Sequence, residues 1–413
     1  MGSMAEPATR VESSLGSAPA RGYAWYVAGV GTWFGAFGMQ QVLFAWLVVG
    51  ELQAEARWVG VAQSASMIPS FLFVLLGGAL ADRSDRRALL IRLHLFASAL
   101  ALALVVAVAG EALSLALLIA YALCIGTVSA FVMPARDALL SEVAGENMMR
   151  AVTAMTLVQW SAQAAGALIG GSARWIGTVP ALGLLVATYL AGAPTLARLA
   201  PAPPRAGAPH AALRLADLGV GVREVLRSPH LRPVVILVAA VGSLFMGPML
   251  VVLPLLIRDY YGGDVAQLGL LQMCFPIGTI LGSMALLARG GIRRKGLAQL
   301  GALTFGCACL GAIGFGLPLW GTLVAVVLWG LGAAVFMNAG RTIFQEKAPA
   351  AQRGRVLSVY MLGFMGASGL VGAPLSGFLV GWIGPLATCF ATSLAMLAVV
   401  GVVFATTEIR RVE

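Results

Sequence analysis

Charge is scarce in this chain, so the places where it gathers are informative. Residues 77–90 read GGALADRSDRRALL and pack Asp82, Arg83, Asp85, Arg86 and Arg87 into six residues between apolar runs. A carboxylate there can hold an ion pair or accept hydrogen bonds from the start of another helix. The arginines suit phosphate, whether on nucleic acid or on lipid headgroups. A carboxylate inside a membrane could also carry a proton. The 17 acids, however, all fall in tails, loops or the ends of apolar segments. The candidates for proton coupling are therefore Asp137, Glu142 and Glu51, with Asp259 as a further segment-end acid. For Glu51 and Asp259 the blander role is ordinary interfacial charge.

Polar side chains within the apolar runs form a second group: Gln40, Gln41, Gln63, Gln159, Gln163, Gln272 and Asn338. An amide facing lipid would leave donors unpaired, so these should face a bundle interior or a water-filled path. Gln159 and Gln163 are four apart and share a helix face, with Trp160 beside them. Phe44, Phe245, Met246 and Tyr360 add aromatic and thioether surface. Such a lining suits a large amphipathic ligand, because soft side chains repack around varied shapes. The alternative is that these residues only hold helices together. His94, two residues after Arg92, reads as structural rather than as a relay.

No phosphate-binding glycine loop, nucleophile elbow or metal-ligand cluster is present, so we expect neither an enzyme, an ATP-driven pump nor a bound cofactor. Cys124, Cys274, Cys307, Cys309 and Cys389 all lie in apolar runs and read as small buried hydrophobes.

These residues need elements to position them. The chain has 413 residues, 60% hydrophobic and 11% charged. Soluble domains carry roughly 25% charged residues, so lipid and not water is the expected solvent. The net charge of +10 then reflects arginine-rich loops rather than nucleic acid. A spanning helix needs about 20 apolar residues. Twelve segments qualify: 24–50, 58–80, 89–109, 112–133, 151–172, 175–197, 233–257, 265–288, 298–316, 318–340, 356–380 and 384–406. With both termini cytoplasmic, only Arg57, Arg174 and Arg258 of the 27 Lys and Arg fall outside, as the positive-inside rule expects.

Residues 1–22 read as a disordered cytoplasmic tail, its first three residues a cloning remnant, with no secretory signal. Residues 23–200 form a first six-helix bundle and 233–406 a second, with 407–413 as a short cytoplasmic tail. Between the bundles, 201–232 is a cytoplasmic linker, Pro-rich at PAPPRAGAP. Beyond that stretch Leu218, Val222, Val225 and Leu226 recur at helical spacing, which predicts a short amphipathic helix at the interface.

The halves echo each other. Phe131, Arg136 and Arg150 correspond to Phe336, Arg341 and Arg355, each 205 residues on. Such symmetry points to two bundles meeting at a central path, with alternating access by rocking.

The pattern G-x-x-x-D-R-x-x-R-R, here Gly78, Asp82, Arg83, Arg86 and Arg87, resembles the cytoplasmic loop motif of the major facilitator superfamily. That motif usually has Gly where this chain has Asp85. The variant ADRSDRR is similar to the enterobactin-exporter and macrolide-efflux subgroup, also called transmembrane secretion effectors. QQVLFAWLV (40–48), PARDALLSEV (134–143), VREVLRSPHLR (222–232) and RGRVLSVY (353–360) agree with it. The exporter motif of the fifth helix is half present in AQAAGALIGG: Gly166, Gly170 and Gly171 match, while Ala162 and Ala167 depart.

The resemblance implies an all-α membrane protein of twelve helices in two pseudo-symmetric bundles. It implies a secondary transporter of the bacterial inner membrane, exporting siderophore- or drug-like amphipathic molecules with protons as coupling ion. A monomer in the lipid bilayer, without nucleic acid, is expected. A lipid or lysophospholipid transporter, an importer, and a non-transporting receptor or scaffold are the alternatives. Gly78, Asp82, Arg83, Arg86, Arg87, Arg136, Glu142, Arg341 and Arg355 would form a latch between the halves. Within it, Asp82 would accept from the start of the eleventh helix near Arg355, while Arg86 and Arg87 could serve only to orient the chain at the headgroups.

Overall fold

The computed structural model describes residues 18–143, 148–201, 215–289, 292–349 and 353–411. These residues are helical wherever they are regular, because a backbone in lipid must satisfy its own hydrogen bonds. The long helices are α1 (Gly22–Glu51), α2 (Ala56–Arg83), α3 (Arg86–Ala109), α4 (Leu115–Val143), α5 (Met148–Gly171), α6 (Thr178–Ala197), α7 (Leu231–Asp259), α8 (Val265–Ala288), α9 (Lys295–Gly314), α10 (Leu319–Lys347), α11 (Val356–Ile383) and α12 (Pro385–Thr406). Eleven of them are long and apolar enough to cross a membrane. The remaining one, α5, carries Thr153, Thr156, Gln159, Ser161 and Gln163 and falls short of that apolarity.

Packing sorts α1–α6 from α7–α12. In the first set α1 lies against α5 and α6, α2 against α4, and α3 against α6. In the second, α8 lies against α10, and α9 against α10 and α12. Two pairs make the most extensive contact between the sets, α2 with α11 and α5 with α8. The twelve helices alternate in direction, so the start of α1 and the end of α12 lie at the same end of the molecule, where Arg83, Arg86, Arg87, Arg293, Arg294 and Arg341 also gather. We call this the basic end and its opposite the far end. At the far end Trp175, Phe315, Trp320 and Trp382 are each at least 71% exposed, the aromatic girdle expected where hydrocarbon meets headgroups.

Small residues let the bridging helices approach. A Cβ on Gly60 of α2 would come within 2.6 Å of the Ala373 carbonyl oxygen on α11. Lipid tails are as apolar as side chains, so close van der Waals contact replaces the hydrophobic drive here. π-Helical turns interrupt α7 at Gly242–Met246 and Pro248–Val252, and α11 at Ala367–Gly372. The two helices meet at these turns, Gly242 and Gly247 against Gly372.

The linker helix spans Leu215–Arg227. Val225 is buried, whereas Val222 and Leu226 are exposed. Its predicted apolar stripe is therefore divided between the protein and its surroundings. The Leu218 side chain, residues 1–17 and residues 202–214 lie outside the described residues.

Candidate functional site

The charge knot ends α2 and starts α3. Asp85 is the N-cap of α3, its carboxylate accepting from the Ala88 amide at 3.2 Å. The departure from the usual glycine thus has a local purpose, since a carboxylate satisfies an orphan amide at a helix start. Arg86 is not a headgroup arginine, which corrects the sequence expectation. It is 5% exposed and pairs with Glu142 at the end of α4. Asp82 stands 3.9 Å from the same guanidinium. Arg87 donates to the carbonyls of Leu196 and Ala197, at the C-terminal turn of α6, where a cation offsets the helix dipole. Each of these bonds joins elements of the first half.

The Asp82 carboxylate is 67% exposed. The Arg355 side chain lies outside the described residues, so its predicted meeting with Asp82 cannot be placed. Arg83 and Arg341 are exposed. Gly78 has open space where a Cβ would stand. Arg136 lies over the ring of Phe34 at 5.1 Å. It bonds Asp137 at 2.6 Å and Gln159 Oε1 at 3.1 Å, which engages Asp137 and ties α4 to α5. Glu51 accepts from Thr178 Oγ1 at 2.9 Å, joining α1 to α6 at the far end.

The two halves touch through a different set of residues. At the far end Arg258 of α7 donates through Nη1 to the carbonyls of Val49 and Ala54, both at 3.0 Å. The last carbonyls of a helix lack intrahelical donors, and here the other half supplies one. Arg174 pairs with Asp264 at 2.9 Å, and Asp264 also caps α8. Deeper in, Gln272 Nε2 reaches the Gln41 carbonyl at 3.4 Å, and Gly171 lies against Gly269. Gly366 of α11 lies against Phe71, about 22 Å along α2 at 1.5 Å per residue. Beyond that level Leu72, Leu76 and Leu80 of α2 are exposed. This conformation is therefore sealed at the far end.

Near mid-depth, four rings form a chain across the seam. Trp160 of α5 meets Phe275 of α8 at 6.4 Å, Phe275 meets Trp329 of α10 at 5.9 Å, and Trp329 meets Phe245 of α7 at 5.2 Å, all edge to face. That geometry places ring edges on ring faces, the favoured arrangement. The last three border a narrow crevice with Met246, Leu303 and Phe336, and no charged residue lines it. Sequence reasoning found Trp160, Phe245 and Met246 and missed Phe275, Trp329 and Phe336, because nothing in an apolar run distinguishes a crevice ring from a packed one.

The other predicted lining residues scatter. Gln40 is buried and accepts from Tyr189 at 2.6 Å, and Phe44 stacks on Tyr121 at 6.1 Å. Gln63 is buried in α2. Gln163 is half-buried, its carbonyl against Gly38. Asn338 is exposed and bonds its own helix at Ala334. Tyr360 meets Phe344 edge on at 5.0 Å. The fifth-helix glycines serve packing: Gly166 and Gly170 admit α1, and Gly171 admits α8. Among the described residues no cluster of His, Cys, Asp and Glu could hold a metal.

The sequence pattern of the family described as transmembrane secretion effector matches residues 17–370. No curated protein matches the chain. Among solved structures it is similar to the nucleoside transporter NupG, with 12% identity and a TM-score of 0.72 over 94% of this chain and 98% of that one. It is similar to the human organic anion transporter MFSD10 (TETRAN), with 18% identity and a TM-score of 0.67 over 94% and 100%. It is also similar to the POT family transporter PepTSo, with 13% identity and a TM-score of 0.72 over 94% and 98%. These likenesses show the fold, which the chain shares with these transporters.

Proposed function

We propose that this chain, which belongs to the transmembrane secretion effector family, exports large amphipathic organic molecules from the cytoplasm by alternating access. The observation that carries the reading is the ring chain Trp160–Phe275–Trp329–Phe245 beside an uncharged crevice. Aromatic walls offer apolar area with tolerant geometry, which suits siderophore- or drug-like molecules better than small charged metabolites. The chain joins both halves, so a ligand lying along it would feel their relative motion. The arginine distribution supports a basic end in the cytoplasm, with both termini there, in a bacterial inner membrane. In that orientation the present conformation faces the cytoplasm, ready to load. Outward release would follow once the Arg258 and Arg174 contacts part and Asp82 takes up its role at the basic end. Antiport against protons completes the cycle.

Purified protein in lipid vesicles with an imposed pH gradient tests the reading, across a panel of siderophores, drugs and lysolipids. Gradient-dependent movement of a siderophore or drug, lost in Trp329→Ala, is the expected result. Movement of lysolipid alone would make this a lipid transporter. Transport indifferent to the gradient for every compound would sink proton coupling.

A further inference from the structure

The linker helix Leu215–Arg227 is covered by the rest of the chain along one side. It packs on the basic-end parts of α7 and α11, and its Gly221 and Val225 are buried. Successive side chains turn by about 100° round a helix. Val222 and Leu226 therefore fall on the strip next to the buried one, where they are 42% and 54% exposed. Arg223 and Arg227 follow round the wheel, and both are exposed. Glu224, half-buried, stands roughly opposite Val222 and Leu226. The surface is thus sorted in order round the axis: protein contact, apolar strip, basic strip, acid.

The helix lies at headgroup depth. Residues 228–230 alone separate it from α7, a membrane-crossing helix that starts at Leu231. Ser228 holds that turn in place, accepting from the Leu231 amide through Oγ at 3.3 Å and from the Arg232 amide through its carbonyl at 3.1 Å. Arg232 is exposed and adds a third guanidinium at this level. Among the described side chains no carboxylate pairs with Arg223, Arg227 or Arg232.

Exposed apolar side chains beside guanidiniums, at the depth of the headgroups, match an anionic phospholipid. Its acyl carbons cover the apolar strip, and its phosphate accepts from the guanidiniums in bidentate fashion. We propose that the linker helix is a docking site for anionic phospholipid of the basic-end leaflet. Val222 and Leu226 enter the acyl boundary, and Arg223, Arg227 and Arg232 bind phosphates. Glu224 is then turned away from groups of its own sign. Through α7 and α11 the site fastens the second half to its leaflet, whatever compound is carried. Each arginine at such a surface strengthens the attachment about fivefold.

The test uses the full-length chain in nanodiscs of phosphatidylcholine, alone or mixed with phosphatidylglycerol, and follows backbone hydrogen exchange over residues 215–227. Phosphatidylglycerol should slow exchange there about fivefold or more, and raised salt should weaken the effect. The double variant Arg223→Gln with Arg227→Gln should lose the slowing. The double variant Val222→Ser with Leu226→Ser should exchange faster in both lipids, because the strip no longer enters the acyl boundary. These side chains are exposed, so both variants should keep the native elution volume on size-exclusion chromatography. Equal exchange in the two lipids, slowing that survives the arginine pair, or exchange indifferent to the serine pair each overturns the proposal. Slow exchange in detergent micelles that neither double variant changes would mean that the chain itself covers the helix, and overturns it too.

Discussion

Arg258 Nη1 lies 3.0 Å from the carbonyl oxygen of Val49, a hydrogen bond from the second half of the molecule to the end of the first helix of the other half. A charged donor of this kind contributes about 1.5–3 kcal/mol. Arg258→Ala should therefore move the population by roughly tenfold or more toward a far-open state. Electron-spin distances between labels on α1 and α7 at the far end check this. An unchanged distribution would remove Arg258 from the seal. Arg258→Lys should fall between, because an ammonium lacks the planar fork that serves two carbonyls and Asp259 together.

Glu142 neutralises a guanidinium that is almost wholly buried. Removing one member of a buried pair leaves the other uncompensated and costs about 3–5 kcal/mol. Glu142→Gln should lower the midpoint of thermal unfolding in detergent markedly. Asp82→Asn should lower it little, since Asp82 is exposed and 3.9 Å away.

Asp85→Ala removes a helix cap and should cost about 1 kcal/mol, whereas Asp85→Gly should cost only a few tenths. Thermal melts of the two variants give the order. Equal losses would mean that the carboxylate does more than cap.

Gly60 and Gly126 separate conformational from structural effects. A side chain at Gly60 would strike α11 of the other half, and one at Gly126 would strike the Ser66 carbonyl of α2 in its own half. Gly60→Val should yield a folded protein whose label distances report an open far end. Gly126→Val should yield poor folding and low monodisperse recovery on size-exclusion chromatography.

The succession of spans is legible in the sequence because apolar length reports passage through lipid directly. The segment expected at 24–50 is observed as Gly22–Glu51, and that expected at 265–288 as Val265–Ala288. Rotation of each helix about its axis is less legible. A residue such as Gln40 must avoid lipid, but its sequence is silent on whether it meets a ligand or Tyr189, 149 positions away. The charge knot shows the same limit. Its arginines are visible as a cluster, yet only the fold distinguishes buried Arg86 from exposed Arg83. In the sequence Arg258 is only one of three outer cations, because a bond to backbone carbonyls leaves no mark in residue types.

The seal at the far end is assembled from charged groups that keep a second partner, as Asp264 and Arg258 do, or already stand largely exposed, as Arg174 does. When Arg174 leaves, Asp264 still accepts from the amides of Ala266 and Gln267 at 3.0 and 3.2 Å. When Arg258 leaves Val49 and Ala54, it keeps Asp259 at 3.0 Å. Opening therefore strands no charge, and the penalty of about 1–3 kcal/mol for each orphaned buried group does not arise. Such a closure is a reversible clasp rather than a weld, suited to a machine that must undo the same contacts on every turnover.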